Sequence, residues 1–133
     1  MHGKCLCGAV GLTAAARRHF HACHCDTCRR WCGGPLLAVH CGTEVVLEGE
    51  SGITCYASSE WAERGFCSRC GTHLFFRLTA SGDYYVPLGL FDDAGDLVFA
   101  SQVFIDRKPA AYSFAEATEK LTEREFLARY APG

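Results

Sequence analysis

The 133 residues carry a formal net charge of -2, no run of like charges and 49% hydrophobic side chains, which suits one domain over residues 1–133 with a core of its own. Balanced charge gives no electrostatic basis for a nucleic-acid or membrane surface, so neither partner is expected. No apolar stretch approaches the roughly 18 residues of a membrane span, the start Met1-His2-Gly3-Lys4-Cys5 lacks the apolar region of a secretion signal, and a cytoplasmic address is the expectation.

In chain order, residues 8–13 read as a short strand after the pair Cys5-x-Cys7, with glycines suited to a tight backbone turn. His19-Phe20-His21-Ala22 leads into Cys23-His24-Cys25-Asp26-Thr27-Cys28. Arg29 to Cys32 then makes a helical turn that Gly33-Gly34-Pro35 breaks. Residues 36–41, 44–48 and 53–56 lean to strand, and glycine-bearing gaps between them predict an antiparallel meander. Strands at 74–78 and 84–90 flank Ser81-Gly82-Asp83, a hairpin signal. Short strands follow at 97–99 and 103–105. Thr122-Glu123-Arg124-Glu125 is a capping box ahead of Phe126, Leu127 and Tyr130, the one helical stretch by pattern.

Ten cysteines in a reducing compartment argue for metal or catalysis over five disulfides. Cys5/Cys7 and Cys23/Cys25 are also too close in sequence to bridge comfortably. Thiolates are soft donors, and Cys67-x-x-Cys70-Gly71 is a knuckle that turns two of them inward. Its other two ligands come from Cys5 and Cys7 or from part of the central triple. Joining Cys5, Cys7, Cys67 and Cys70 leaves Cys23, Cys25 and Cys28 as a second set with three protein ligands. That donor count is the one zinc has where chemistry occurs at the metal. Two zinc ions per chain are expected on this partition. The competing view makes both sites structural, with His24, His21 or a further cysteine as the fourth ligand. Cys32, four residues after Cys28, is the extra thiol of interest, and Cys41 and Cys55 are expected as buried thiols. His40 and His73 are candidate acid–base groups, with ordinary strand packing the alternative.

These residues resemble a known family. Lys4-Cys5-Leu6-Cys7-Gly8-Ala9-Val10, Cys23-His24-Cys25-Asp26-Thr27-Cys28-Arg29-Arg30 and Phe66-Cys67-Ser68-Arg69-Cys70-Gly71-Thr72 are similar to segments of the glutathione-dependent formaldehyde-activating enzymes. That family also includes the vertebrate centromere protein V. The resemblance spans about residues 3 to 110, Tyr56-Ala57-Ser58-Ser59 and Leu88-Gly89-Leu90-Phe91-Asp92-Asp93 included. It implies a mainly β, Mss4-like fold: several coiled antiparallel sheets around zinc knuckles, with a short C-terminal helix. It also implies structural zinc on Cys5, Cys7, Cys67 and Cys70, and active zinc on Cys23, Cys25 and Cys28. The implied activity is that of a carbon–sulfur lyase joining glutathione to formaldehyde as S-hydroxymethylglutathione. On this reading a thiol such as glutathione binds at the three-cysteine zinc as thiolate and attacks an aldehyde. Arg29 acts in catalysis, and Arg30, Ser58 and Ser59 bind the substrate. The other function class is a non-catalytic zinc-stabilised module for a thiol, peptide or partner protein. The sequence departs from the family at Gln102-Val103-Phe104, where relatives carry His-Ile-Phe, and at Ala111-Tyr112, where a Trp falls; both bear on the substrate.

Overall fold

Short apolar alternations with frequent turn residues give strands of three to seven residues, and the computed structural model describes residues 1–130. The strands are β1 (His2–Lys4), β2 (Gly11–Ala14), β3 (His19–Cys23), β4 (Leu36–Gly42), β5 (Val45–Glu48), β6 (Ile53–Ala57), β7 (Ala62–Cys67), β8 (His73–Leu78), β9 (Tyr84–Pro87), β10 (Val98–Val103) and β11 (Glu119–Leu121). Helix α1 spans Asp26–Cys32 and α2 spans Glu123–Tyr130. They fall into two compact units that interleave along the chain, residues 1–18 with 39–97, and 19–38 with 98–133.

In the first unit, β1, β2 and β5 form a three-stranded antiparallel sheet with Gly3 opposite Leu12 and Leu12 opposite Leu47. Leu12 and Val10 are fully buried beneath it. The second half of β4 is followed across the other sheet of this unit by β9, β8, β7 and β6. The β8–β9 hairpin turns at Gly82, whose N–H donates to the Leu78 carbonyl at 2.8 Å while Leu78 N–H donates to Asp83. Val39, Cys41, Leu74 and Val86, each at or below 1% exposure, are the core of this sheet.

In the second unit, β3 lies between the start of β4, which it meets antiparallel, and β10, which it meets parallel. β10 also runs parallel to β11. Phe20 stacks on Phe99 at 4.9 Å, Phe114 meets Phe99 edge-on at 5.0 Å, and Ala22 is fully buried. Phe104, at φ 55°, turns the chain sharply after β10 and packs on Phe126 of α2. α2 is opened by Thr122: its hydroxyl accepts from Glu125 N–H at 3.1 Å, and Glu125 Oε1 accepts from Thr122 N–H at 3.0 Å.

The mainly β architecture of several sheets with a short C-terminal helix is as expected, and so are the capping box and the Ser81–Asp83 hairpin. The meander is not: 36–41, 44–48 and 53–56 are strands, but β4 pairs with β3 and β9, β5 with β2, and β6 with β7. β4 and β5 do not pair with each other but reach β9 and β2 respectively, and β6 pairs forward with the next strand, β7. Nor is pairing antiparallel throughout, since β10 is parallel to both neighbours. The strands expected at 97–99 and 103–105 are one strand, β10, followed by a 3-10 turn at Ile105–Arg107. The strand expected to reach residue 90 ends at Pro87, and Leu88–Leu90 forms a 3-10 turn. The helical turn after Cys28 starts earlier, at Asp26.

Candidate metal centres

The first cluster is assembled by two turns. Val10 N–H donates to Cys5 Sγ at 3.3 Å, Cys5 N–H donates to Val10 O at 2.9 Å and Gly8 N–H donates to Cys5 O at 3.0 Å, folding Cys5 and Cys7 around Gly8 at φ 81°. The second turn follows β7: Gly71, at φ 77°, donates to the Cys67 carbonyl, and Cys67 N–H donates to Thr72 O. Both glycines hold a backbone sign that a Cβ disfavours. Thr72 ties the turns together, its hydroxyl accepting from Leu6 N–H at 3.1 Å and lying 3.1 Å from Cys70 Sγ. The sulfurs of Cys5, Cys7, Cys67 and Cys70 all fall within 4.8 Å of one another.

A tetrahedral ion with Zn–S bonds of about 2.3 Å sets its sulfurs about 3.8 Å apart. Cys5 and Cys7 are 3.6 Å apart and Cys7 and Cys67 3.7 Å, so this donor set fits an ion of that size. Hydrogen bonds from the Thr72 hydroxyl and backbone pull the Cys70 thiol down to about 5, which prepares it as a thiolate donor.

The second cluster sits where β3 runs into α1. Cys23 ends β3 opposite Val103 on one side and Leu36 on the other. Cys25 is the N-cap of α1, its sulfur accepting from Cys28 N–H at 3.3 Å, and Cys28 is buried in the first turn. Helix start and thiol placement are therefore one device. The sulfurs of Cys23, Cys25 and Cys28 lie within 4.8 Å of one another, and among the described residues no other Cys, His, Asp or Glu joins the group. Hydrogen bonds with Cys25 and Cys28, then burial, push the Cys23 thiol far above the usual range. Crowded thiols hold one another protonated, and a cation among them reverses that balance.

His24, between two of these cysteines, is fully buried and points elsewhere. Its Nδ1 lies 2.8 Å from the Tyr112 hydroxyl and its Nε2 2.8 Å from Gln102 Oε1. Burial, only partly opposed by the Gln102 contact and reinforced by the Lys108 and Arg29 charges, keeps its pKa below the ordinary histidine value. It is a neutral scaffold group. Sequence reasoning singled out Gln102 and Tyr112 only as departures from a pattern. Thr118, which accepts from Gln102 Nε2 at 3.0 Å, carried no signal at all.

Arg29 and Arg30 line a hollow of about 460 Å³ with Asp26. Arg29 is committed within it: its Nη2 pairs with Asp26 at 2.6 Å and its Nε donates to the His24 carbonyl at 2.9 Å. Arg30 is exposed and forms no ion pair among the described residues. Ser58 and Ser59 lie in the β6–β7 turn of the first unit, where Ser59 Oγ accepts from Trp61 N–H at 3.4 Å. His40 stacks on Tyr85 at 4.6 Å and pairs with Asp83, and His73 starts β8, its pKa lowered by burial and by Arg64. His21 bonds Ser101 at 2.6 Å, and neither it nor Cys32 belongs to the three-thiol group. Cys41 is buried as expected. Cys55 is not: it lies exposed on β6, which stands at the end of its sheet and pairs only with β7.

The model of the glutathione-dependent formaldehyde-activating enzyme family matches residues 1–107. An uncharacterized lyase of Schizosaccharomyces pombe is 39% identical over 127 residues, covering 94% of this chain and 93% of that protein. A crystal structure of a Rhodobacter sphaeroides protein superimposes with a TM-score of 0.57 at 23% identity, over 75% of this chain and 100% of its own, and so shares the fold.

Proposed function

Because the chain belongs to the glutathione-dependent formaldehyde-activating enzyme family, we propose that it is a zinc-dependent enzyme of the carbon–sulfur lyase type acting on an aldehyde adduct of a glutathione-like thiol. The observation that carries this reading is the three-thiol group itself, which lacks a fourth protein donor among the described residues while the first group has four. Cys5, Cys7, Cys67 and Cys70 would hold a structural ion, and Cys23, Cys25 and Cys28 a catalytic one. A zinc bound there supplies a Lewis acid that lowers the pKa of an incoming thiol.

The chain's own residues then bind and orient. Arg30, with no competing carboxylate, pairs with a carboxylate of the thiol substrate at the mouth of the hollow. Arg29 fixes that mouth through Asp26 and the His24 carbonyl and adds positive charge to it. In the synthetic direction the thiol gives its S–H proton to water, the sulfur attacks the aldehyde carbon, a C–S bond forms as the carbonyl π pair moves to oxygen, and the resulting alkoxide takes a proton back from water. The lyase direction reverses each step, and no redox partner is needed.

The test is metal analysis of the wild type beside Cys25→Ser, with calorimetric titration of glutathione and the rate of adduct formation above the uncatalysed background. Two zinc ions per chain falling to one, with thiol binding and rate enhancement both lost, is the expected result. An unchanged metal count sinks the assignment of Cys25. Thiol binding with no acceleration in the wild type sinks the enzyme and leaves a binding module.

A further inference from the structure

Every hydrogen-bonding group of His24 is engaged, and none faces a thiol. Its N–H donates to Val103 O at 3.1 Å and its carbonyl accepts from Arg29 Nε at 2.9 Å. With the Gln102 carbonyl oxygen facing it, Nε2–H donates at 2.8 Å, which leaves Nδ1 to accept from the Tyr112 hydroxyl at 2.8 Å. Gln102 is in turn held by Thr118, and both His24 and Gln102 are sealed from solvent at 0% and 2% exposure. Yet both sequence neighbours of His24 belong to the three-thiol group, and imidazole is a donor that zinc readily accepts. Asp26, the other potential ligand within the segment, is paired with Arg29 at 2.6 Å.

We infer that Gln102 and Tyr112 are positioning residues that hold the His24 ring away from Cys23, Cys25 and Cys28, and so keep that set at three protein donors. This rests on reading those cysteines as a metal site. A hydrogen-bonded wall of this kind normally orients a ligand toward a metal; here it restrains a competitor. Removing both partners leaves two buried ring nitrogens unsatisfied, a condition that coordination relieves for one of them. The site would then close on itself and exclude a substrate thiol.

The test uses the cobalt-loaded protein, whose visible bands report the ligands of the ion, titrated with 2-mercaptoethanol. Wild type is expected to bind two ions and to shift its bands as the thiol enters. Gln102→Leu/Tyr112→Phe is expected to bind two ions but to need at least about tenfold more thiol for the same shift. Gln102→Glu, which keeps an acceptor facing Nε2, should respond as wild type does. A double variant that answers the thiol as wild type does overturns the inference. An independent reading needs no variant. In wild-type protein loaded with cadmium-113, the ring nitrogens of His24 should show no coupling to the metal, and a coupling overturns the inference. If wild type holds a single ion, the three-thiol reading itself fails and takes the inference with it.

Discussion

Gly65→Ala is expected to destabilise the metal-loaded protein by about 1–2 kcal/mol. Gly65 lies in β7 directly opposite Phe75 of β8, and an added Cβ would sit 2.4, 2.5 and 2.9 Å from three carbons of the Phe75 ring. Carbon–carbon contacts are comfortable only from about 3.5 Å, so the ring or the strand must move by roughly 1 Å. The ring has little room to move. Phe75 is 5% exposed and meets Tyr84 edge-on at 5.0 Å. Overpacking of this kind costs about 1–3 kcal/mol, centred at about 2; from that centre the loss of glycine's freedom in the unfolded chain returns about 0.4–1 kcal/mol, a net of about 1–2 kcal/mol. For a chain of this length the net corresponds to a fall of roughly 3–8 °C in Tm. Urea unfolding of wild type, Gly65→Ala, Phe75→Leu and the double variant gives the coupling directly. Phe75→Leu should recover part of the loss caused by the alanine. Wild-type stability in Gly65→Ala, or the same penalty in both backgrounds, would refute the steric argument.

Three other outcomes follow from the geometry. Cys67→Ser should abolish cooperative unfolding of the first unit, because its thiol closes a four-donor set whose partner Cys7 is 60 positions away; amide exchange in β7 and β8 reads this. Phe99→Ala should cost about 3–5 kcal/mol by chemical denaturation, since it removes the ring between Phe20 and Phe114; a loss below about 1 kcal/mol would contradict that packing. Hydrogen bonds from the Thr122 backbone and hydroxyl hold the Glu125 carboxyl below its usual 4.5, so its contribution to α2 is full above that value and is lost as pH falls through the folded one. Amide protection in α2 should therefore decline on acidification in wild type, and Glu125→Gln should flatten that decline.

How much was legible in the sequence depended on how local the information was. The Cys67–Cys70 knuckle, the Thr122–Glu125 box and the Ser81–Asp83 turn are written within a few residues, and each forms as read. The partition of seven thiols into four and three was also readable as the division that keeps each sequence cluster whole, and the sulfurs group that way. Partner choice was not. Nothing near residues 44–48 says that β5 will pair with β2, and nothing in Val98–Val103 announces a parallel strand. The destination of His24 lay equally out of reach, since its partners are 78 and 88 positions away. What the sequence did offer was Gln102, a long polar side chain inside an apolar run, a residue that demands a buried hydrogen-bond partner.

The interleaving of the two units sets a timetable for synthesis. Cys23, Cys25 and Cys28 emerge from the ribosome within six residues of one another and have the means to capture an ion at once. The strand that flanks Cys23, β10, is made some seventy to eighty residues later and carries Gln102, and Tyr112 follows it. Closing so short a loop costs little entropy. The four-thiol set instead waits for Cys70 before it can close. The nascent chain thus passes through an interval in which an ion captured at the centre proposed for chemistry would meet no finished wall, with His24 not yet restrained. Metal supply during translation, and not only in the finished protein, then bears on which ligands that centre acquires.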